Sequence, residues 1–189
     1  MKTITFASAP RVTALSAVLA AAVLSACAPM SSMSSYSQDT LPDAVKVPAG
    51  HRVAMQTVGV GDITYECRAK KDMAGQFEWT FVGPDAALND RSGMKIGKYY
   101  GPPATWENMD GSKVTATQVA VAPAGTGNIP YQLVKANPAM GNGAMTGVTY
   151  IQRVATVGGV APASSCGTAN LGGKQTVRYQ ADYIFWKAA

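Results

Sequence analysis

Histidine, cysteine and charge are all scarce in this sequence. Its 189 residues include one His and three Cys, and only 14% are Asp, Glu, Lys or Arg. An average soluble domain is about 25% charged, so a highly charged disordered chain is excluded. Gly and Pro together make up about 16% of the chain, below the roughly 25–30% of low-complexity sequence. With one His and so few thiols, the usual zinc set of three or four ligands cannot be assembled. No Gly-x-Ser-x-Gly elbow occurs, so a Ser–His hydrolase of that design is excluded. No phosphate loop, dinucleotide fingerprint or calcium loop occurs either. No cofactor and no metal are therefore expected. Basic residues nowhere cluster beyond Lys70-Lys71 with Arg68 nearby, so nucleic acid is not an expected partner.

The one long apolar run, Val12–Val23, is a dozen residues. A membrane span needs about 20. With Lys2 and Arg11 ahead of it, the run reads as the apolar core of an export signal. Leu24-Ser25-Ala26-Cys27 follows and resembles the bacterial lipobox, in which the Cys accepts a diacylglycerol and the peptide is cut just before it. Residues 1–26 are then a lipoprotein signal peptide and Cys27 the lipidated residue. Ala28 stands where Asp would often retain the protein at the inner membrane. An outer-membrane lipoprotein on the periplasmic or surface side is expected, with the membrane as a partner through its lipid. Loss of Lys2 and Arg11 leaves 14 basic and 11 acidic side chains, a net charge of +3. That is an ordinary surface.

Residues 28–45 (APMSSMSSYSQDTLPDAV) contain five Ser and no apolar period. They read as a flexible tether, so residues 27–45 form the anchor and linker and 46–189 one domain. Within that domain the period is two almost throughout. Ile63, Tyr65 and Cys67 share one face of a strand, and Phe77, Trp79 and Phe81 alternate with polar residues across a turn at Ala69–Gly75. Lys113–Val121, Met145–Val154 and Thr176–Trp186 alternate in the same way. In the last of these, Val177, Tyr179, Ala181, Tyr183 and Phe185 share a face. Asp110-Gly111, Gly125–Gly127, Asn142-Gly143, Gly158-Gly159 and Gly172-Gly173 mark turns. No helical stripe appears beyond the signal. The fold class is all-β: a single antiparallel β-sandwich or closed β-barrel of about eight to ten strands.

With Cys27 committed to lipid, Cys67 and Cys166 form an even pair in an oxidising compartment, and a disulfide between them is expected. A nucleophilic role for Cys166 has no His close in sequence to support it.

Four stretches carry a family resemblance: Tyr65-Glu66-Cys67, Gly101–Val114 (GPPATWENMDGSKV), Tyr150–Pro162 (YIQRVATVGGVAP) with Cys166 just after, and Tyr179–Trp186 (YQADYIFW). Together they resemble an uncharacterised family of secreted bacterial and fungal proteins, domain-of-unknown-function family number 3455, over about Val47 to Lys187. The family usually has a His near its Gly-Pro-x-Trp segment, where this chain has Tyr99 and Tyr100. It tends to have a Trp after Ile-Pro, where this chain has Tyr131. The resemblance implies an exported β-rich domain with the Cys67–Cys166 bridge and no assigned activity.

For function, the weak catalytic candidates are Glu107 and Asp110. A carboxylate pair of the glycosidase kind would need Glu107 with Asp182 or with Glu66. Asp110, however, sits in the strongest turn dipeptide of the chain, where Asp usually bonds its own turn. Tyr99, Tyr100, Trp106 and Arg153 are the ligand-binding candidates. Arg153 and Asp182 are expected to pair across neighbouring strands, and His51 is expected to be structural or exposed. The leading reading is a non-catalytic binding or interaction module of the cell envelope, with a glycan, a small molecule or an envelope protein as partner. An envelope carbohydrate hydrolase and a structural spacer are the alternatives.

Overall fold

The computed structural model describes Thr3 and residues 36–189. The signal segment, Cys27 and the tether as far as residue 35 lie outside the described residues. The eight strands are β1 (His51–Ala69), β2 (Phe77–Asn89), β3 (Lys95–Tyr100), β4 (Thr105–Asn108), β5 (Lys113–Ala122), β6 (Tyr131–Ala136), β7 (Val148–Gly158) and β8 (Lys174–Ala188). Each pairs antiparallel with its sequence neighbour, and β1 also pairs with β8. The sheet therefore closes into a ring in simple up-and-down order. Closure settles the choice between sandwich and barrel in favour of the barrel. The long strands overrun their short partners, so residues 77–84 of β2 pair with β1 alone. No α-helix occurs among the described residues, and none of their helices is long and apolar enough to cross a membrane.

The alternating runs of β1 and β8 land where the period of two puts them. In β7, by contrast, a register shift between Val148 and Tyr150 breaks the face expected for Val148, Tyr150, Gln152 and Val154: Val148 joins the inner cluster and the other three meet the outer one. Ile63 and Tyr65 of β1 and Tyr179, Ala181, Tyr183 and Phe185 of β8 fill the inside of the ring. The turn at Ala69–Gly75 joins β1 and β2 as a hairpin. Strands β3, β4 and β6 are only 6, 4 and 6 residues long, too short to show a period on their own. Small residues make room inside the ring. A Cβ on Gly59 would stand 2.5 Å from the ring of Tyr183, so the glycine lets that tyrosine cross the interior.

A second apolar cluster lies on the outer face. Ile184 and Trp186 alternate with the inward Tyr183 and Phe185. With Ala122, Leu133 and Val154 they are covered by Val45 and Val47, with Tyr36 and Leu41 packed alongside. Residues 36–47 thus form a strap, with a short 3-10 turn at Asp43–Val45. Gln38 clips the strap closed: its Nε2 donates to the Val47 carbonyl (2.9 Å) and its Oε1 accepts from the Val47 N–H (2.8 Å). Gln152 of β7, fully buried, donates to the Val45 carbonyl (2.7 Å) and accepts from Trp186 Nε1 (2.9 Å) and from the Tyr36 hydroxyl (3.2 Å). A buried amide is tolerable only when satisfied in this way. The compact unit therefore runs Tyr36–Ala189. Its start lies ten residues ahead of the boundary at residue 46, because Tyr36, Leu41 and Val45 meet a waiting apolar face without any periodic spacing of their own.

Cys67 and Cys166 are disulfide-bonded, with Cα atoms 5.4 Å apart and a sequence separation of 99. The bridge ties the loop between β7 and β8 to the end of β1. Trp79 Nε1 donates to the Ser164 carbonyl (2.7 Å) and holds the same loop over β2.

Candidate functional site

The up-and-down order places the β1–β2, β3–β4, β5–β6 and β7–β8 connections at one end of the ring. That end holds the disulfide and the Gly101-Pro102-Pro103 turn, whose two X–Pro bonds are cis. A cavity of about 210 Å³ opens there, lined among others by Phe81, Tyr99, Pro102, Trp106, Gln132 and Arg153. An eight-stranded barrel is just wide enough either to be filled by side chains or to hold one small ligand, and barrel mouths are a usual place for such sites.

Aromatic packing builds the floor. Tyr99 of β3 and Trp106 of β4 are register partners and stack with centroids 4.5 Å apart at 21°. Tyr183 meets Trp106 edge-on at 5.9 Å and shares a hydroxyl–hydroxyl hydrogen bond of 3.2 Å with Tyr179. The Trp106 indole N–H is buried and has no hydrogen-bond partner. Such an orphan donor costs about 1–3 kcal/mol.

One wall is polar. Gln132 lies opposite Arg153 in the β6–β7 ladder, and its amide donates to Gln118 Oε1 at 2.6 Å. Arg153 Nε and Nη2 both donate to the Pro130 carbonyl, at 3.1 and 3.0 Å. That carbonyl fixes the guanidinium at the rim without neutralising it. Burial pushes the hydroxyls of Tyr99, Tyr179 and Tyr183 above the ordinary tyrosine range, and the Arg153 charge works against that shift at all three. The field of Arg153 therefore reaches into the ring.

Three of the four ligand-binding candidates, Tyr99, Trp106 and Arg153, meet at this cavity. Tyr100 does not, because it alternates with the inward Tyr99 and points outward. Its hydroxyl donates to Glu107 Oε2 at 2.7 Å. The expected Arg153–Asp182 pair is not formed. Register sets Arg153 against Tyr183 and Asp182 against Val154, so the two charges are on opposite faces of the sheet. Asp182 instead meets Arg91 at 2.8 Å. Phe81, Pro102, Gln118 and Gln132 belong to the cavity without having been singled out from sequence. Alternation placed Phe81 on a strand face with Trp79, but nothing local marks any of the four as a cavity residue.

The carboxylates sit elsewhere. Glu107 is outward with Tyr100 and Lys98, the latter at 3.5 Å. The Tyr100 hydrogen bond, and then the charges of Lys98 and Lys113, hold it below the usual carboxylate range. Glu66 contacts Arg68 and Lys174. Asp110 accepts from the Ser112 hydroxyl (2.5 Å), the Ser112 N–H (2.8 Å) and the Ala144 N–H (2.7 Å). These bonds, the Ser112 hydroxyl first, lower its pKa. Glu107, Asp182 and Glu66 thus engage three separate partner sets, and no acidic side chain lines the cavity. His51 is bonded through Nδ1 to the Pro48 carbonyl (3.0 Å) and packs edge-on against Tyr150. No group of three or more His, Cys, Asp or Glu suited to a metal occurs among the described residues.

No curated protein and no solved structure matches the chain. A family model does match: that of "Protein of unknown function (DUF3455)" spans residues 48–187, from just ahead of β1 almost to the end of β8, and the chain therefore belongs to the DUF3455 family.

Proposed function

We propose that this protein is a lipid-anchored envelope protein whose barrel mouth binds a small molecule without transforming it. The observation that carries the reading is the convergence of Tyr99, Trp106 and Arg153 on one cavity that contains no carboxylate. An apolar hollow with a few convergent polar groups is the general form of a ligand site. Hydrolysis by a carboxylate pair would need two acids about 5–10 Å apart across a cleft, and Glu107, Asp182 and Glu66 are each committed to basic or hydroxyl partners away from the cavity. The Cys67–Cys166 bridge accords with an exported protein. Cys27 supplies the anchor in this reading, and the segment from residue 28 to residue 35 spaces the barrel from the membrane.

A thermal-shift series on the intact protein against sugars, glycan fragments, small acids and small amines tests it. A ligand at 100 times its Kd adds about 2.7 kcal/mol, which raises the midpoint by roughly 5–10 °C for a protein of this size. A shift that disappears in Tyr99→Ala supports the cavity as the site. A ligand that is turned over, or one whose shift persists in Tyr99→Ala, overturns the reading.

A further inference from the structure

The cavity presents donors and no anion. Among the described residues Arg153 has no carboxylate within salt-bridge distance, and its hydrogen bonds go to the neutral Pro130 carbonyl. This leaves Nη1 uncommitted. Trp106, 2% exposed, carries an indole N–H with no partner, and it lines the same cavity as Arg153. The indole nitrogen itself is sealed from solvent, so the polar group open to a ligand in this hollow is the half-buried guanidinium. What is missing is an acceptor with negative charge.

From this uncompensated cation beside an apolar, acid-free wall we infer that the site takes a small carboxylate with a flat apolar body. This rests on the binding reading above and names its ligand class. The carboxylate pairs with the free Nη1 of the guanidinium, and a charged acceptor strengthens that bond. The apolar body lies against Phe81, Pro102 and Ala116. Phe81 is 53% exposed, so an aromatic edge at the mouth is available for a ring to cover. The volume of about 210 Å³ suits a single-ring acid. A cationic ligand is disfavoured by Arg153, and a neutral one leaves its charge uncompensated.

The test uses benzoate and its neutral isostere benzamide on the intact protein. Titration calorimetry gives the two affinities, and the Trp106 indole N–H resonance reports occupancy. Benzoate is expected to bind at least tenfold more tightly than benzamide and to move the Trp106 N–H signal. Arg153→Gln is expected to erase that preference, bringing benzoate down to the affinity of benzamide. Benzamide binding as tightly as benzoate would overturn the carboxylate assignment and leave the small-molecule reading standing. Failure of both probes at millimolar concentration, with a static Trp106 signal, overturns both. If Arg153→Gln does not fold, the benzoate-to-benzamide ratio of the unaltered protein decides the matter alone.

Discussion

Arg153 stands opposite Tyr183 in the β7–β8 ladder, while Asp182, one residue earlier, turns outward to Arg91. This single step of register puts a positive charge inside the ring and its expected partner outside. In a strand the faces alternate with period two, so residues whose register is offset by one cannot meet. The cavity owes its uncompensated cation to that offset.

The strap should be worth several side chains of burial. Val45 is fully buried between the strap and the outer face of the ring. Val45→Ala is expected to cost about 1–3 kcal/mol, the range for a truncated buried aliphatic. Removing residues 36–47 should cost more and expose Trp186, seen as a red shift in tryptophan emission. Chemical denaturation checks both, and an unchanged midpoint for Val45→Ala would show that the strap contributes nothing.

Gly61 is a steric requirement. A Cβ there would collide with the Asp85 carbonyl oxygen and with the Ala86 backbone at 2.5 Å. Neither is a movable side-chain tip. Gly61→Ala is expected to destabilise by about 1–3 kcal/mol, as overpacking does. Gly75→Ala serves as a control of the opposite kind: its Cβ meets nothing, and its φ of +76° alone is strained.

Reduction of the Cys67–Cys166 bridge should lower stability strongly. It closes a loop of about 100 residues, for which the chain-entropy account gives roughly 4–5 kcal/mol. The oxidised protein should be about 2 Da lighter than the reduced one, two hydrogens fewer. Denaturation with and without reductant measures the rest, and coincident curves would count against it.

Alkaline pH should weaken the strap. Burial, and then the negative charge of Asp182, pushes the Tyr36 hydroxyl up to about 12, against about 10 in an unfolded chain. The folded state holds that proton where the unfolded state has lost it. The stabilisation is therefore complete below about pH 10 and is lost as pH rises from there to about 12. Tyr179 and Tyr183 act in the same direction. Tyr36→Phe should flatten the fall of stability between pH 10 and 11, and identical slopes would refute the assignment.

Cys27→Ser should release the protein from the membrane fraction. Retention of that variant at the level of the unaltered protein would remove the lipid anchor from the proposed function.

Much of the barrel is legible in the chain because long strands with one buried face must alternate. Ile63, Tyr65, Tyr179, Tyr183 and Phe185 read as inward from spacing alone, and they are. The short strands β3, β4 and β6 carry too few residues for a period, and their place comes from the neighbours they pair with. For the site, Arg153 was visible as a charge interrupting a strand-like run, and Tyr99 and Trp106 as aromatics on either side of Gly101-Pro102-Pro103. Phe81, Gln118 and Gln132 were not, because each looks like an ordinary strand residue until the ring curves it toward the mouth.

The sequence by itself determined an all-β fold, the Cys67–Cys166 pairing and the DUF3455 membership, because periodicity, cysteine parity and local motifs are properties of neighbouring residues. Tertiary structure alone decided closure into a ring, the strap at Tyr36–Val47 and which charges face the cavity. Those outcomes depend on register between strands that, for β1 and β8, lie more than a hundred residues apart, and a one-residue shift in register exchanges the inside of a sheet for the outside.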